Sequence, residues 1–368
     1  MPLLSRNSRI PRTSSFFRVF CVFCGLYQGA SGTVKTLYLN GWEISAHLED
    51  RRVVVSHRTT GEVQKVALFS LQRVVCLGQP QLTMPLLQEL MRQNITIVFL
   101  NAHGECLNAI YPTVNGNAPR RLRQYAIALD PPRSLPVAKA LLDAKIHNLR
   151  RTLQRLAGTR ELTEQPAHRQ AMDTLADCRR ELHDLDSHDA LRGCEGAASA
   201  CYFAQLDTYL PPDMPFAMRT RRPPRNPVNA LLSWTYAIVT QDIVSAIRLA
   251  ELDPCLGVLH QPSLGRPALA LDLIEPFRAP LCDLLALHLI NHRVLTADDF
   301  DCSDDGAYTL KHEAKRKFFA SYETTMQRRF RRPGDERHTT FRDAIQDDAY
   351  AFCSFLADGH IPEFFLMP

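Results

Sequence analysis

The sequence lacks any uncharged run as long as the roughly 18 residues that a membrane-spanning helix needs. It also lacks a strong net charge, because 43 Lys and Arg residues stand against 39 Asp and Glu residues, a balance of +4. The first absence predicts a soluble protein without a membrane partner. The second excludes a global electrostatic field as the basis of polyanion binding, so any polyanion must be met by local basic clusters.

The eleven cysteines lack the pattern of a disulfide framework, because their number is odd and they are scattered along the chain. This distribution favours a reducing compartment and therefore predicts a cytoplasmic protein. Extensive disorder is excluded as well, since 45% of the 368 residues are hydrophobic. A chain of this length and composition buries a sizeable core in one large domain or two smaller ones.

The first 34 residues contain no acid. They carry Arg6, Arg9, Arg12 and Arg18, followed by a short apolar patch at 19–24. This order resembles a weak signal peptide, but the apolar patch is short and contains two thiols. We therefore interpret residues 1–34 as an N-terminal extension and expect it to be poorly ordered.

Residues 35–112 show the alternation and β-branched runs of short strands, separated by turn signals such as Thr60-Gly61. Strands are predicted at 36–39, 42–48, 51–57, 62–67, 73–77, 96–100 and 105–111. One amphipathic helix is predicted at 84–93. The pattern predicts a small, mostly antiparallel β domain.

Residues 113–119 are polar and turn-rich, which is typical of a linker. From residue 120 to residue 368 the apolar period becomes that of a helix. Helices are predicted at about 137–156, 167–184, 188–206, 227–249, 276–291 and 311–330. The expected fold class is therefore α+β, with the small β domain followed by a larger all-α domain.

Glu195 is the only charged residue in a stretch of small and apolar residues at 193–204. In a helix it shares a face with Leu191, Ser199 and Tyr202. Small neighbours would let another segment pack closely, which predicts that Glu195 lies in a crevice. A buried carboxylate is costly unless it has a partner, so a salt bridge to an arginine and a functional role both stay open.

His260 ends an apolar run and enters a loop rich in Gly and Pro, where functional side chains are often presented. Asp272 and Glu275 follow, and their spacing would place both on one helical turn. Pro276 disfavours an α conformation at Glu275, so Glu275 is alternatively expected just before a helix that Pro276 opens. One imidazole with two or three carboxylates suits Mg²⁺ or Mn²⁺, although spacing alone does not show that the fold brings them together.

Arginines crowd around Pro223-Pro224, where Arg219, Arg221, Arg222 and Arg225 precede a helix. Asn226 and Pro227 there read as the N-cap and the first residue of that helix, an end that favours anions. Further basic residues follow the linker or lie toward the C-terminus: Arg120, Arg121, Arg123, Lys315, Arg316, Lys317, Arg328, Arg329, Arg331 and Arg332. A charge run is commonly only a solvated surface, but several runs in a chain of small net charge indicate a basic stripe for a polyanion.

Four ordered segments give the chain a specific resemblance: 194–196 (CEG), 221–233 (RRPPRNPVNALLS), 257–260 (GVLH) and 265–278 (GRPALALDLIEPFR). Together they resemble the motifs of the CRISPR-associated integrase family, the first-numbered member of the Cas series. Residues 35–39 (KTLYL) and 145–148 (KIHN) also match. The resemblance covers about 35–368, and one departure is Asn226, where many relatives have Asp.

The resemblance implies a β domain used for homodimerisation and a helical catalytic domain. It also implies Mg²⁺ or Mn²⁺ bound by Glu195, His260 and Glu275, with Asp272 as an auxiliary acid of the catalytic set. The family inserts short DNA fragments into a CRISPR array and is also described as a metal-dependent DNA endonuclease. Most members act as two homodimers bridged by a dimer of a small ferredoxin-like Cas partner.

The hypothesis for the mechanism is transesterification, in which the 3′-OH of an incoming strand attacks a phosphodiester at the repeat boundary. The candidates for holding double-stranded DNA are Arg221, Arg222, Arg225, Arg266 and Arg278. Arg278 would equally serve to orient the acids. A non-catalytic DNA-bridging scaffold and a general branched-DNA nuclease in repair are the alternative functions.

Overall fold

The computed structural model describes residues 36–101, 104–112, 116–332 and 338–368. The predicted extension at 1–34 lies outside the described residues. So do residues 113–115 of the predicted linker, while its last two residues begin helix α2 (Ala118–Ala128). Asn117 caps that helix, because its side chain accepts a hydrogen bond from the Arg120 amide at 3.1 Å.

The N-terminal half consists of two four-stranded sheets and one helix. Its elements are β1 (Thr36–Asn40), β2 (Ile44–Glu49), β3 (Arg52–His57), β4 (Val63–Ala67), β5 (Arg73–Leu77), β6 (Gln81–Leu82), α1 (Met84–Arg92), β7 (Thr96–Leu100) and β8 (Cys106–Ile110). The strand order is β1-β5-β7-β8 in one sheet and β4-β3-β2-β6 in the other. The seven strands and the helix that the sequence predicts are all present.

The expectation of mostly antiparallel pairing is wrong for the first sheet. In it β1 pairs with β5, and β5 with β7, in parallel, and only β8 runs antiparallel. The parallel pairing of β5 and β7 follows from the crossover through α1, because a tight turn cannot return a strand in the same direction. In the second sheet β2, β3 and β4 pair antiparallel, as expected, but β6 pairs with β2 in parallel.

The C-terminal half is helical, with two small strand pairs. After α2 come α3 (Pro131–Gly158), α4 (Pro166–Glu181), α5 (His188–Gln205), α6 (Pro227–Leu249), α7 (Ala268–Leu273), α8 (Leu284–Asn291), α9 (His312–Met326) and α10 (Phe341–Asp358). The strand pairs are β9 (Phe300–Cys302) with β10 (Tyr308–Leu310), and β11 (Phe330–Arg331) with β12 (His338–Thr339). The α+β class is thus confirmed, and the description of this half as all-α is corrected by these strands.

Helix α6 is the central helix of this half. By length and composition it is apolar enough to cross a membrane, but 78% of its apolar window is buried inside the structure, which is typical of a core helix in a soluble protein. It begins where the sequence predicts, because the Asn226 side chain accepts a hydrogen bond from the Asn229 amide at 2.8 Å and Pro227 needs no donor there.

A buried network of charged and hydroxyl groups joins the two halves. Arg73 of β5 pairs with Asp242 of α6. Tyr38 of β1 donates to Glu323 of α9 at 2.6 Å, and Arg342 of α10 donates to the same carboxylate at 2.7 Å. Because Tyr38 and its strand neighbours also share one apolar core with the helices, the sheet and the helices form a continuous interior. The domain boundary at 113–119 stays a prediction.

Candidate active site

Lys145 lies between two of the predicted acids. It projects from α3, its ammonium contacts Glu195 of α5, and its Nζ lies 2.7 Å from Oε2 of Glu275. Because one ammonium contacts both carboxylates, these lie within about 5 Å of each other. The fold therefore brings together two acids that are 80 residues apart in the chain.

The carboxylate of Glu195 is oriented by a hydrogen bond within its own helix. Ser199, one turn further along α5, donates to Oε1 of Glu195 at 2.7 Å. Burial raises the pKa of Glu195, but the Lys145 charge and the hydrogen bonds from Lys145 and Ser199 together lower it below its ordinary value. The carboxylate is therefore ionised at neutral pH. Gly193 and Gly196 do not contribute to the close packing expected around Glu195, since a Cβ at either position would meet nothing within 4 Å, whereas Ala198 on the same helix is completely buried.

Glu275 lies in a 3-10 turn, Glu275–Phe277, that directly follows α7. It therefore does not share an α-helical turn with Asp272, in agreement with the effect expected of Pro276. Oε1 of Glu275 is 3.0 Å from Nε of Arg278. Burial raises the pKa of Glu275, and Arg278 and Lys145 together lower it to about 2.

Asp272 is completely buried and holds the loop that carries His260. Its Oδ2 accepts hydrogen bonds from the amides of Val258 at 2.6 Å and Leu259 at 3.0 Å. Its Oδ1 accepts from the His260 amide at 2.9 Å and lies 2.6 Å from Nδ1 of His260. Asp272 therefore fixes the ring orientation of His260 and leaves Nε2 for a ligand. The structure places Asp272 behind the imidazole as a positioning residue.

The hydrogen bonds between Asp272 and the loop of residues 258–260 form a clamp on His260. This clamp needs a residue without a side chain at Gly257, so replacing Gly257 tests it directly. A Cβ at this position would lie 2.4 Å from Oδ2 of Asp272 and 2.9 Å from the backbone of Ala268. We expect Gly257→Ala to displace Asp272, destabilise the fold by about 1–3 kcal/mol and reduce activity through His260. Urea unfolding and a pH titration of the imidazole by NMR measure the two effects. Gly196→Ala on α5, where a Cβ meets nothing, is the control, and equal behaviour of the two variants would contradict the clamp.

Among the described residues, no three His, Cys, Asp or Glu side chains stand close enough to form a ready-made metal cage. No hydrogen bond or ion pair joins His260 to Glu275 among the described residues, but His260 adds to the effect of Arg278 and Lys145 in lowering the pKa of that carboxyl. The donor chemistry nevertheless suits a hard divalent ion. Moreover Oε2 of Glu275 is buried without a well-directed hydrogen bond, although Lys145 is 2.7 Å away. This oxygen already lies beside a cation, the Lys145 ammonium, so its position also suits a positively charged ligand.

The arginines predicted to hold DNA divide into two groups. Arg221, Arg222, Arg225 and Arg266 are exposed on loops, and Arg225 donates to the Asp305 carbonyl. These four are available to an external ligand.

Arg278 belongs to the catalytic pocket instead. It is largely buried, pairs with Glu275 and lies 4.8 Å from the centre of the Tyr236 ring. Asp283 accepts a hydrogen bond from the Tyr236 hydroxyl at 2.5 Å. The structure thus favours the second role considered for Arg278, that of orienting the acid.

Sequence reasoning assigned no role to Lys145, although the residue stood in one of the matching segments. A signal was present, because Lys145 shares a face of α3 with the buried Leu141, Leu142 and Leu149. A lysine within such an apolar stripe needs a buried anion. Asn148, one turn further on, was missed in the same way: it donates to the carbonyls of Pro276 at 2.7 Å and Phe365 at 2.9 Å and so anchors the turn that carries Glu275.

The fold and the site define an α+β protein whose helical half gathers two carboxylates and a carboxylate-held imidazole. Residues 37–324 match the family model described as CRISPR associated protein Cas1. The chain belongs to this family, so the resemblance of the four segments is confirmed.

Two relatives show the extent of the similarity. The chain is 36% identical over 276 residues to "CRISPR-associated endonuclease Cas1 1" of Chlorobaculum tepidum, which covers 74% of this chain and 80% of the relative. It is 32% identical over 335 residues to "CRISPR-associated endonuclease Cas1 3" of Thermus thermophilus, covering 90% and 97%. Nearly the whole described chain therefore has counterparts in named endonucleases.

Solved structures share the fold. A casposase bound to its integration product superposes with a TM-score of 0.79 at 22% identity, covering 91% of this chain and 94% of that chain. A chain of a Cas6-RT-Cas1–Cas2 complex superposes with a TM-score of 0.73 at 23% identity and covers 92% of this chain. This chain spans only 36% of that longer one.

Proposed function

We propose that this chain is a CRISPR-associated DNA endonuclease and integrase, which inserts short DNA fragments into a CRISPR array. The observation that carries the proposal is the convergence of Glu195 and Glu275 on one buried ammonium, beside an imidazole fixed by Asp272. Ionised carboxylates are expensive to bury, and membership of the Cas1 family gives their cluster a catalytic interpretation. The enzymatic activity of named relatives supports the same conclusion.

Glu195, His260 and Glu275 are proposed to hold Mg²⁺ or Mn²⁺. Such an ion would polarise the phosphodiester and stabilise the charge that develops on its oxygens. The residues themselves supply two anionic oxygens and the Nε2 of an imidazole whose other nitrogen faces Asp272. Arg278, together with Lys145, keeps Glu275 ionised, and its Nε lies 3.0 Å from Oε1 of Glu275.

The proposed reaction is attack by a 3′-OH of the incoming strand on a phosphodiester at the repeat boundary. A bond forms between the attacking oxygen and phosphorus, and the bond to the leaving 3′ oxygen breaks, so that no oxidant or nucleotide is consumed. The exposed Arg221, Arg222, Arg225 and Arg266 are proposed to bind backbone phosphates and position the duplex. Positioning and electrostatics supply most of the rate enhancement in phosphoryl transfer.

The assembly is also proposed from the family. The β half would form a homodimer, and two homodimers would be bridged by a dimer of a small ferredoxin-like Cas partner. Family membership supports a Cas partner, and the protein would act in the cytoplasm.

A strand-joining assay tests the function. We expect the purified chain with its Cas partner to join a short duplex with 3′-OH ends to a repeat-containing target in Mn²⁺ or Mg²⁺, and to lose this activity in EDTA. A non-catalytic scaffold would bind DNA equally in EDTA and never convert it. A general repair nuclease would cut unrelated branched junctions better than it joins at the repeat, and either result would contradict the proposal.

A further inference from the structure

A second concave surface lies between the end of α3, the segment that leads into α8 and the end of α9. Its volume is about 1010 Å³, at the upper limit of the roughly 300–1,000 Å³ of small-molecule pockets. No Asp or Glu occurs among the described residues that line it. The charged and titratable side chains of this basic cleft are Arg155, Arg160, Arg328, Arg329, His288 and His292.

Within the described part of the chain, carboxylates leave the arginines of the basic cleft without neutralising partners. Among the described residues, Arg155, Arg328 and Arg329 form no ion pair with a carboxylate. Burial and then the charge of Arg155 lower the pKa of Arg328. Burial, His292 and Arg328 lower the pKa of His288 in the same way. Positive groups that face one another in a concave surface gain stability from a bound anion.

The walls of the basic cleft favour a ligand with flat apolar parts as well as negative charge. Pro280, Leu284 and Leu287 line it, and the rings of His288 and His292 lie 4.4 Å apart. Single-stranded nucleic acid combines such parts, because unpaired bases stack on ring and guanidinium planes while the phosphates meet cations. In a duplex the bases face inward, so only the arginines at the rim would be used.

We propose that the basic cleft binds a single-stranded segment of DNA at a place separate from the catalytic pocket. Arg155 lies ten residues beyond Lys145 on the same helix, about 15 Å further along its axis. A strand in the cleft therefore leaves the reacting phosphodiester free to occupy the pocket. The inference rests on the proposed function only for the identity of the ligand as DNA.

Fluorescence anisotropy with a labelled single-stranded oligonucleotide tests the basic cleft. The measurement is made in EDTA on the full chain, so that it does not depend on metal chemistry. We expect the double variant Arg155→Ala with Arg328→Ala to weaken binding about tenfold or more. The slope of log affinity against log salt should also become less steep by about 1.4, since each lost phosphate contact contributes about 0.7 for a single strand. Arg155→Lys with Arg328→Lys should retain most of the affinity, because the charge is kept.

The matched control is Arg169→Ala with Arg180→Ala on α4. These two arginines are exposed, and each pairs with a neighbouring carboxylate, Glu164 and Asp177. The control removes the same formal charge, and we expect it to leave single-strand binding unchanged. Three results would each overturn the proposal. They are unchanged binding by the cleft variant, an equal loss of affinity in the control, and an equal loss of affinity for a blunt duplex. Loss of joining by a Glu195→Gln variant that binds the strand normally would separate a failure of catalysis from a failure of the cleft.

Discussion

Replacing Lys145 by methionine is expected to lower the free energy of unfolding in EDTA by about 3–5 kcal/mol. Methionine keeps most of the length of the side chain but removes the charge that Glu195 and Glu275 share. Two carboxylates then face each other in a buried pocket, and only Arg278 still pairs with one of them. Urea unfolding of the parent and the variant measures the difference.

Divalent ions and pH sharpen this prediction. Mn²⁺ or Mg²⁺ should raise the free energy of unfolding more in the Lys145→Met variant than in the parent. In the variant the ion replaces the missing ammonium, whereas in the parent it competes with the ammonium of Lys145. The deficit should also shrink as the pH falls below 4.5, since protonation removes the repulsion between the carboxyls. Lys139→Met is the control on the same helix, because among the described residues Lys139 donates to the His183 carbonyl and pairs with no carboxylate. A Lys145→Met variant as stable as the parent in EDTA would show that the acids do not depend on the ammonium.

Local signals in the sequence predicted many of the elements, but they missed helices α2 and α10. Helix α6 has the predicted bounds, because the Asn226 cap and Pro227 mark its beginning. The predicted helix at 276–291 was only partly correct: a 3-10 turn and a π-helical segment precede α8. Pro276 and Pro280 lack the amide donors that a regular α-helix needs there.

The candidate site was predictable as a set of residues but not as an arrangement. Glu195 and His260 are candidates from the sequence because a lone acid among small residues and a histidine at a Gly/Pro loop conflict with simple core packing. The role of Lys145 was not found, because its partners lie 50 and 130 residues away in the chain. The periodicity of a sequence does not indicate contacts between residues so far apart in the chain. The contact arises because α3 packs against α5 and against the turn after α7. Asp272 was assigned to the catalytic set, whereas its complete burial makes it a positioning residue.

Replacing Glu275 by glutamine is expected to reduce strand joining by more than about 100-fold, because the amide keeps the shape of the side chain but loses the charge proposed to bind the ion. Glu313→Gln on α9 is the control, since Glu313 is exposed at the first turn of that helix, and it should leave joining unchanged. Joining by Glu275→Gln at the rate of the parent would remove Glu275 from the proposed ligands.

A second readout separates the charge of Glu275 from general damage to the fold. In the folded parent the pKa of Glu275 is depressed from 4.5 to about 2, which corresponds to roughly 3 kcal/mol of stabilisation. This stabilisation is fully present above pH 4.5 and is lost as the pH falls toward 2. Because glutamine does not titrate, the difference in unfolding free energy between the parent and Glu275→Gln should shrink over that range. A difference that stays constant from pH 5 downward would mean that the variant has lost packing, so that its lost activity could not be assigned to the missing carboxylate.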